Sequence, residues 1–255
     1  MMEFLKSLTD GNVAAFFLLL LRFAGIFAFF PFFDSQLVPV SVRGALSFFM
    51  ALLFFPLVSY VSLDMTWENL LIAGVMEVLL GFSASLVLQI VFSAIALASD
   101  SISFSMGLTM ASAYDPISGA QKSIVGQVIA LLAIVLALSL NFHHFVFLFI
   151  AHTLSTIPLG GFELSGGIIA YLIKAFAQMF LVGFAMAFPI LGLILLSDVI
   201  FGMIMKTHPQ FNLLAIGFPV KIAIAFVVII LIIPAIMLRF KNELQAAFYA
   251  LNQLF

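Results

Sequence analysis

The chain has no cysteine, one tryptophan and few charges, with nine Lys and Arg against eleven Asp and Glu in 255 residues. Without cysteine there is no disulfide framework, thiolate nucleophile or Cys-based metal site. A charged fraction of 8% cannot cover a water-facing surface, for which soluble domains use about 25%. A formal net charge of −2 is too near neutral to suggest a phosphate-backbone partner, and no nucleic acid is expected. GxxxxGK[ST], GxGxxG and GxSxG are all missing. His143 and His144 are adjacent and point to different faces, and His152 and His208 stand apart with no clustered carboxylate. No catalytic site, metal centre or cofactor is therefore expected.

What the chain has is apolar length. Hydrophobic residues make up 65% of it, Phe alone contributes 32, and the mean hydropathy is +1.33. Six long apolar stretches lie near 13–33, 40–61, 69–98, 124–151, 167–197 and 211–238. Each reaches the roughly 20 residues a bilayer-crossing helix needs. The pattern predicts an all-α membrane protein. The N-terminal region, with Glu3, Lys6 and Asp10 ahead of an overlong apolar run, does not read as a cleaved signal peptide. Phe-Pro recurs at Phe30-Pro31, Phe55-Pro56, Phe188-Pro189 and Phe218-Pro219, with Pro39 and Pro234 besides. Six prolines in apolar helices predict bent hairpins instead of straight rods. Basic residues divide evenly between the two sides of a six-span topology: Arg43, Lys122 and Lys206 against Lys6, Arg239 and Lys241. The usual positive bias thus carries no orientation.

Ionisable groups at membrane depth mark a function or a buried partner. Arg22, Glu77, Asp100, Lys174, Asp198 and Lys221 lie within or at the ends of the stretches. At about 100° per residue, Gly74, Glu77, Gly81, Ser85 and Gln89 share one stripe about 120° wide. Small residues there allow close helix approach, and the Glu77 carboxylate then needs a donor, for which Arg22 is a candidate. The alternative reading of Glu77 is a proton or ion relay. Ser99–Ser123 is too serine-rich for lipid yet keeps Phe104, Met106, Leu108 and Met110. Such a loop suits a protein-lined lumen, because methionine adapts to irregular contacts; a re-entrant or surface connection is the other reading. Asp115-Pro116 has the form of a helix start, Asp as cap and Pro at the first position. Lys221 falls near mid-bilayer in a straight helix, so it is either paired or away from that depth. Beyond Arg239, Phe240, Leu244, Phe248, Leu251 and Phe255 share a face, the pattern of an interfacial helix or of one docking on a partner.

The chain resembles the FliR family, the flagellar member of a type III secretion export-gate group that also includes SctT. The resemblance is carried by Pro209-Gln210-x-Asn212, Gly217-Phe218-Pro219-x-Lys221, Leu21-Arg22 with Pro31, Pro39 and Arg43, Glu77 with Gly81, and Asp115-Pro116. Before Pro209, where the family often has arginine, this chain has Lys206 and His208.

The resemblance implies an inner-membrane, multi-pass export-gate subunit at the flagellar basal body. It would assemble with FliP and FliQ, with FlhB alongside, and pass unfolded flagellar axial proteins. It implies a FliP-like portion over about 1–165, a FliQ-like hairpin over about 166–240 and an amphipathic tail over 240–255. Within the first portion, 105–123 would be a pore plug, with Met106, Gly107, Leu108, Met110, Tyr114, Asp115 and Pro116 as its residues. Arg22, Arg43, Glu77, Gly81, Lys174, Asp198, Pro209, Gln210, Asn212, Gly217, Pro219 and Lys221 would serve assembly as buried charges or close contacts. Competing readings are a stand-alone secondary transporter or ion channel, and the same role in a virulence-type secretion system. A transporter of the common kind would carry inverted repeats, and none is visible between the two halves of the chain.

Overall fold

A computed structural model describes residues 11–31, 38–58, 67–108, 124–208 and 216–255. Every described element is helical: α1 (Gly11–Phe29), α2 (Val40–Phe54), a 3-10 turn (Phe55–Leu57), α3 (Trp67–Met106), α4 (Ile124–Ser139), α5 (Phe142–Thr156), α6 (Gly166–Thr207) and α7 (Phe218–Leu254). These coincide with the six apolar stretches, the fourth being divided between α4 and α5. Five helices are long and apolar enough to cross a membrane, and the α4–α5 pair makes a sixth if it is one bent span. Lipid offers no partners to backbone N–H and C=O groups, so a chain this apolar satisfies them within helices.

Three helices far exceed the roughly 30 Å of a bilayer core. At 1.5 Å per residue, α3 with 40 residues runs about 60 Å, α6 with 42 about 63 Å and α7 with 37 about 56 Å. The helical part of α3 continues eight residues past the predicted end of its stretch, into the serine-rich segment expected to be a loop. The serines do not break the helix because their hydroxyls turn back on it. Ser99 donates to Ala96 O at 2.8 Å, Ser101 to Leu97 O at 2.7 Å, Ser103 to Ser99 O at 2.8 Å and Ser105 to Ser101 O at 3.0 Å.

Most of these prolines stand at or near helix ends. Pro39 precedes α2 in extended conformation, Pro56 sits in the 3-10 turn, and Pro219 occupies the first turn of α7, where its missing N–H costs nothing. Pro189 and Pro234 lie inside α6 and α7, which continue through them. The sharp bend, 61°, falls between α4 and α5 at a site without proline. There Asn141 takes the left-handed conformation, φ 59°, which asparagine tolerates better than most residues.

The described residues form two compact units. The first holds residues up to Ile90, Asn141–Ala175 and Gln245–Phe255. In it α1 packs on α2 through phenylalanine edges, Phe16 to Phe48 at 5.7 Å and Phe23 to Phe54 at 5.3 Å between ring centres. The amphipathic end of α7 is buried here too, which corrects the expectation of a lipid-surface or partner-docking helix. Phe248 stacks on Phe142 at 5.4 Å, Phe255 meets Phe149 at 5.7 Å and Phe162 at 5.8 Å, and Thr156 Oγ1 donates to Phe255 O at 3.0 Å. The second unit holds Val91–Leu140 and Phe176–Leu244. In it α6 meets α3 at Gly183, whose Cβ, if present, would stand 2.9 Å from Ala94 O. Phe92 packs edge-on against Phe240 at 5.1 Å.

Candidate functional site

The first unit is organised by a crossing of α1 and α3 at two glycines. A Cβ on Gly81 would lie 2.6 Å from Ile26 N and 2.9 Å from Arg22 O, and one on Gly25 would lie 2.9 Å from Val78 O. The two backbones are therefore in direct contact. Ser85 Oγ donates across the crossing to Ile26 O at 2.9 Å and along its own helix to Gly81 O at 2.8 Å.

One turn from the contact, this proximity brings Arg22 to Glu77. Both side chains are wholly excluded from solvent. The guanidinium engages the carboxylate in a fork, Nε to Oε2 at 2.5 Å and NH2 to Oε1 at 3.0 Å. It also donates to Thr153 O and Ile157 O, each at 3.2 Å. These carbonyls belong to the last turn of α5 and the residue after it, the negative end of that helix. The Gly160 N–H donates to Glu77 Oε1 at 2.7 Å, from a turn in which Gly160 has φ 77°. The clamp thus ties α1, α3 and the end of α5 in one network, with four guanidinium contacts used.

The donor to Glu77 is Arg22, the candidate named from the sequence. Of its stripe, Gly74, Gly81 and Ser85 are buried with it, whereas Gln89 is exposed. Sequence reasoning missed Gly25, Gly160 and the two carbonyls. Gly25 was detectable, because it lies three residues after Arg22 on the same helical face, the mirror of Glu77 and Gly81.

The other charged candidates are dispersed. Arg43 NH1 donates to Ala28 O in the last turn of α1 at 3.0 Å. Lys221 Nζ bonds Asp198 at 2.8 Å, joining α7 to α6, with the carboxylate about half exposed and the lysine nearly covered. Lys221 is therefore paired. Lys174 is exposed and has no ion pair among the described residues. Gly217 is buried, and Pro219 is exposed. Pro209, Gln210 and Asn212 lie outside the described residues.

At the far end of α3, Met106 is fully buried. Gly107 closes the helix with φ 80°, its N–H bonded to Phe104 O at 3.0 Å, and Leu108 N–H reaches Ser103 O at 3.2 Å. This is the two-bond stop that glycine favours at a helix end. Met110, Tyr114, Asp115 and Pro116 lie outside the described residues. His143 and His144 rest ring to ring at 4.1 Å, and among the described residues no group of three or more His, Asp or Glu gathers to hold a metal.

Comparison with known proteins places these features in context. A family model described as bacterial export proteins, family 1, matches residues 13–247. The chain is 31% identical over 235 residues to the flagellar biosynthetic protein FliR of Bacillus subtilis (strain 168), covering 89% of each. It is 28% identical over 237 residues to the protein of that name from Aquifex aeolicus (strain VF5), covering 90% of each. With that of Escherichia coli (strain K12) it shares 26% over 217 residues, 85% of this chain and 83% of the relative.

Proposed function

This chain belongs to the bacterial export proteins, family 1, and on that premise we propose that it is a subunit of the flagellar type III secretion export gate. With FliP and FliQ subunits, and FlhB associated, it forms the inner-membrane channel through which unfolded flagellar axial proteins leave the cell. Its first 165 residues act as a FliP-like portion and residues 166–240 as a FliQ-like hairpin. The segment beginning at Ser105 contributes the plug of the closed pore. The work is passage of a chain, driven from outside this subunit.

The observation that carries the reading is the family match along nearly the whole chain. A physical feature agrees with it. Phe49, Leu53, Leu181, Phe188, Ile230 and Leu231 are all more than half exposed on long helices, a surface that needs lipid or neighbouring subunits over it. Arg22 and Glu77 are satisfied within the chain, so their part in assembly is to hold the shape that neighbours bind. Lys221 and Asp198, partly open, act at the contact itself.

The test is the detergent-extracted complex. Affinity capture of this chain from cells should recover FliP and FliQ in one large hetero-oligomer by mass measurement. A stable monomer or homodimer at full recovery would overturn the reading. Deleting Gly107–Ala113 in that complex should let ions or small solutes leak across the membrane, and unchanged permeability would remove the plug assignment.

A further inference from the structure

Arg22 uses its guanidinium inside the chain, and Arg43 does not. Among the described residues, Arg43 NH1 donates to Ala28 O at 3.0 Å, its Nε is buried with no partner, and no carboxylate pairs with it. A guanidinium offers five N–H donors and does not lose its charge, so this one still lacks an anion. The helix around it favours one too: Pro39 gives α2 no side-chain cap, and no acid stands in the first turn. The surface along α2 narrows the kind of anion. Val40–Leu57 has 18 residues, about 27 Å, close to the thickness of a bilayer core, and within α2 only Ser47 and Ala51 are buried. Phe48, Phe49, Leu52, Leu53 and Leu57 are exposed along it. Helices that pack on one another in lipid do so through small residues, as α1 and α3 do at Gly25 and Gly81. The bulky run on α2 suits acyl chains instead. The other edge of this band carries the lone tryptophan. Phe29, next to the acceptor of Arg43, meets Phe82 of α3 at 4.7 Å, and Trp67 stands fifteen residues earlier on α3, about 22 Å away and largely exposed. Tryptophan and arginine are the side chains that suit the boundary between apolar core and headgroups.

We propose that Arg43 binds the phosphate of an anionic phospholipid headgroup, with the acyl chains of that lipid along the exposed face of α2 from Phe48 to Leu57. The guanidinium fork donates to phosphate oxygens, the uncapped first turn of α2 adds its positive end, and Ala28 O holds NH1 in place. Such a site depends on contact with the bilayer and not on which substrate the chain helps to pass. The α2 flank then faces lipid, and neighbouring subunits pack elsewhere on the chain.

The chain has no cysteine, so Gly44→Cys, whose Cβ meets open space, accepts a single fluorescent label beside Arg43. The labelled full chain is recovered from cells with its accompanying subunits and reconstituted into phosphatidylcholine vesicles holding a minor fraction of phosphatidylglycerol. The same preparation without the cysteine supplies the background. Each lipid in turn carries a nitroxide at the upper end of an acyl chain, which quenches the label on contact. At equal nitroxide fraction, phosphatidylglycerol should be enriched about fivefold at the label over phosphatidylcholine, the preference one basic residue gives at an anionic surface. Arg43→Gln should abolish that preference and leave quenching by phosphatidylcholine in place, whereas Arg43→Lys should retain much of it. Equal quenching by the two lipids with Arg43 intact, or an unchanged preference in Arg43→Gln, refutes the phosphate site. Quenching by neither lipid places protein over α2, makes a neighbour's carboxylate the partner of Arg43 and also overturns the proposal. If Arg43→Gln is not recovered, the comparison of the two lipids with Arg43 intact and in Arg43→Lys still decides.

Discussion

Removing the carboxylate of Glu77 should destabilise the chain far more than removing the whole Arg22–Glu77 pair. In Glu77→Ala the guanidinium stays buried with only Thr153 O and Ile157 O, having lost both contacts to the carboxylate, and Gly160 N–H loses its acceptor. Breaking a buried pair from one side costs about 3–5 kcal/mol, because a charge is left without its counterion. Arg22→Ala should cost a similar amount, leaving Glu77 with Gly160 N–H alone. In the double replacement Arg22→Met with Glu77→Leu no buried charge remains. Thr153 O keeps the Ile157 N–H bond at 2.9 Å, so the residual loss is confined to Ile157 O and Gly160 N–H. Two such groups left unsatisfied cost about 1–3 kcal/mol together, at the lower end of the range for each. The coupling across the cycle is then at least about 3 kcal/mol. Exchanging the residues, Arg22→Glu with Glu77→Arg, should not rescue. The α5 carbonyls require a donor at position 22 and the Gly160 N–H requires an acceptor at position 77. The assay is unfolding of the purified protein in mild detergent by titration with sodium dodecyl sulfate, followed by far-ultraviolet circular dichroism. Additive single effects, or an exchange variant as stable as the parent, would refute this reasoning. Normal stability and complex recovery in Glu77→Ala with loss of export would favour the relay reading of Glu77 instead.

The glycine crossing makes a second prediction: Gly81→Ala should cost about 1–3 kcal/mol by the same titration, because its Cβ meets immovable backbone of α1. Gly44→Ala, with open space at its Cβ, should be neutral or stabilise by up to about 1 kcal/mol; equal effects at the two sites would contradict the packing. Phe248→Ala should lower stability by about 3–5 kcal/mol, since the ring is buried against Phe142 and Phe145. Tyr249→Ala, exposed on the next position round the helix, should leave the titration unchanged, and a reversed order would show the tail bound elsewhere. Asp198→Asn should change the stability of the isolated chain by less than about 1 kcal/mol, as partly exposed ion pairs do. Recovery of the hetero-oligomer should nevertheless drop several-fold, and an unaltered yield would remove Asp198 from the assembly contact.

The tail shows how far a pattern reaches. Phe240, Leu244, Phe248, Leu251 and Phe255 announce a face that must be covered, and all five are buried. The pattern is silent on what covers the face, because lipid, a partner and the chain's own aromatic helix are equally apolar. The serines of α3 illustrate the opposite error. Their polarity suggested a loop, but a hydroxyl that bonds the carbonyl three or four residues back is hidden from lipid and costs the helix little.

The sequence by itself determined the membrane class, the positions of the apolar helices and the need of Glu77 for a donor. Those depend on run length, on local hydrogen bonding and on the cost of an isolated charge, all of which act along the chain. Only the tertiary structure decided that the donor is Arg22 backed by the end of α5 and that two glycines let α1 and α3 touch. Each of these joins residues that are dozens of positions apart, and a contact between distant segments is chosen by the simultaneous packing of all the helices that surround it.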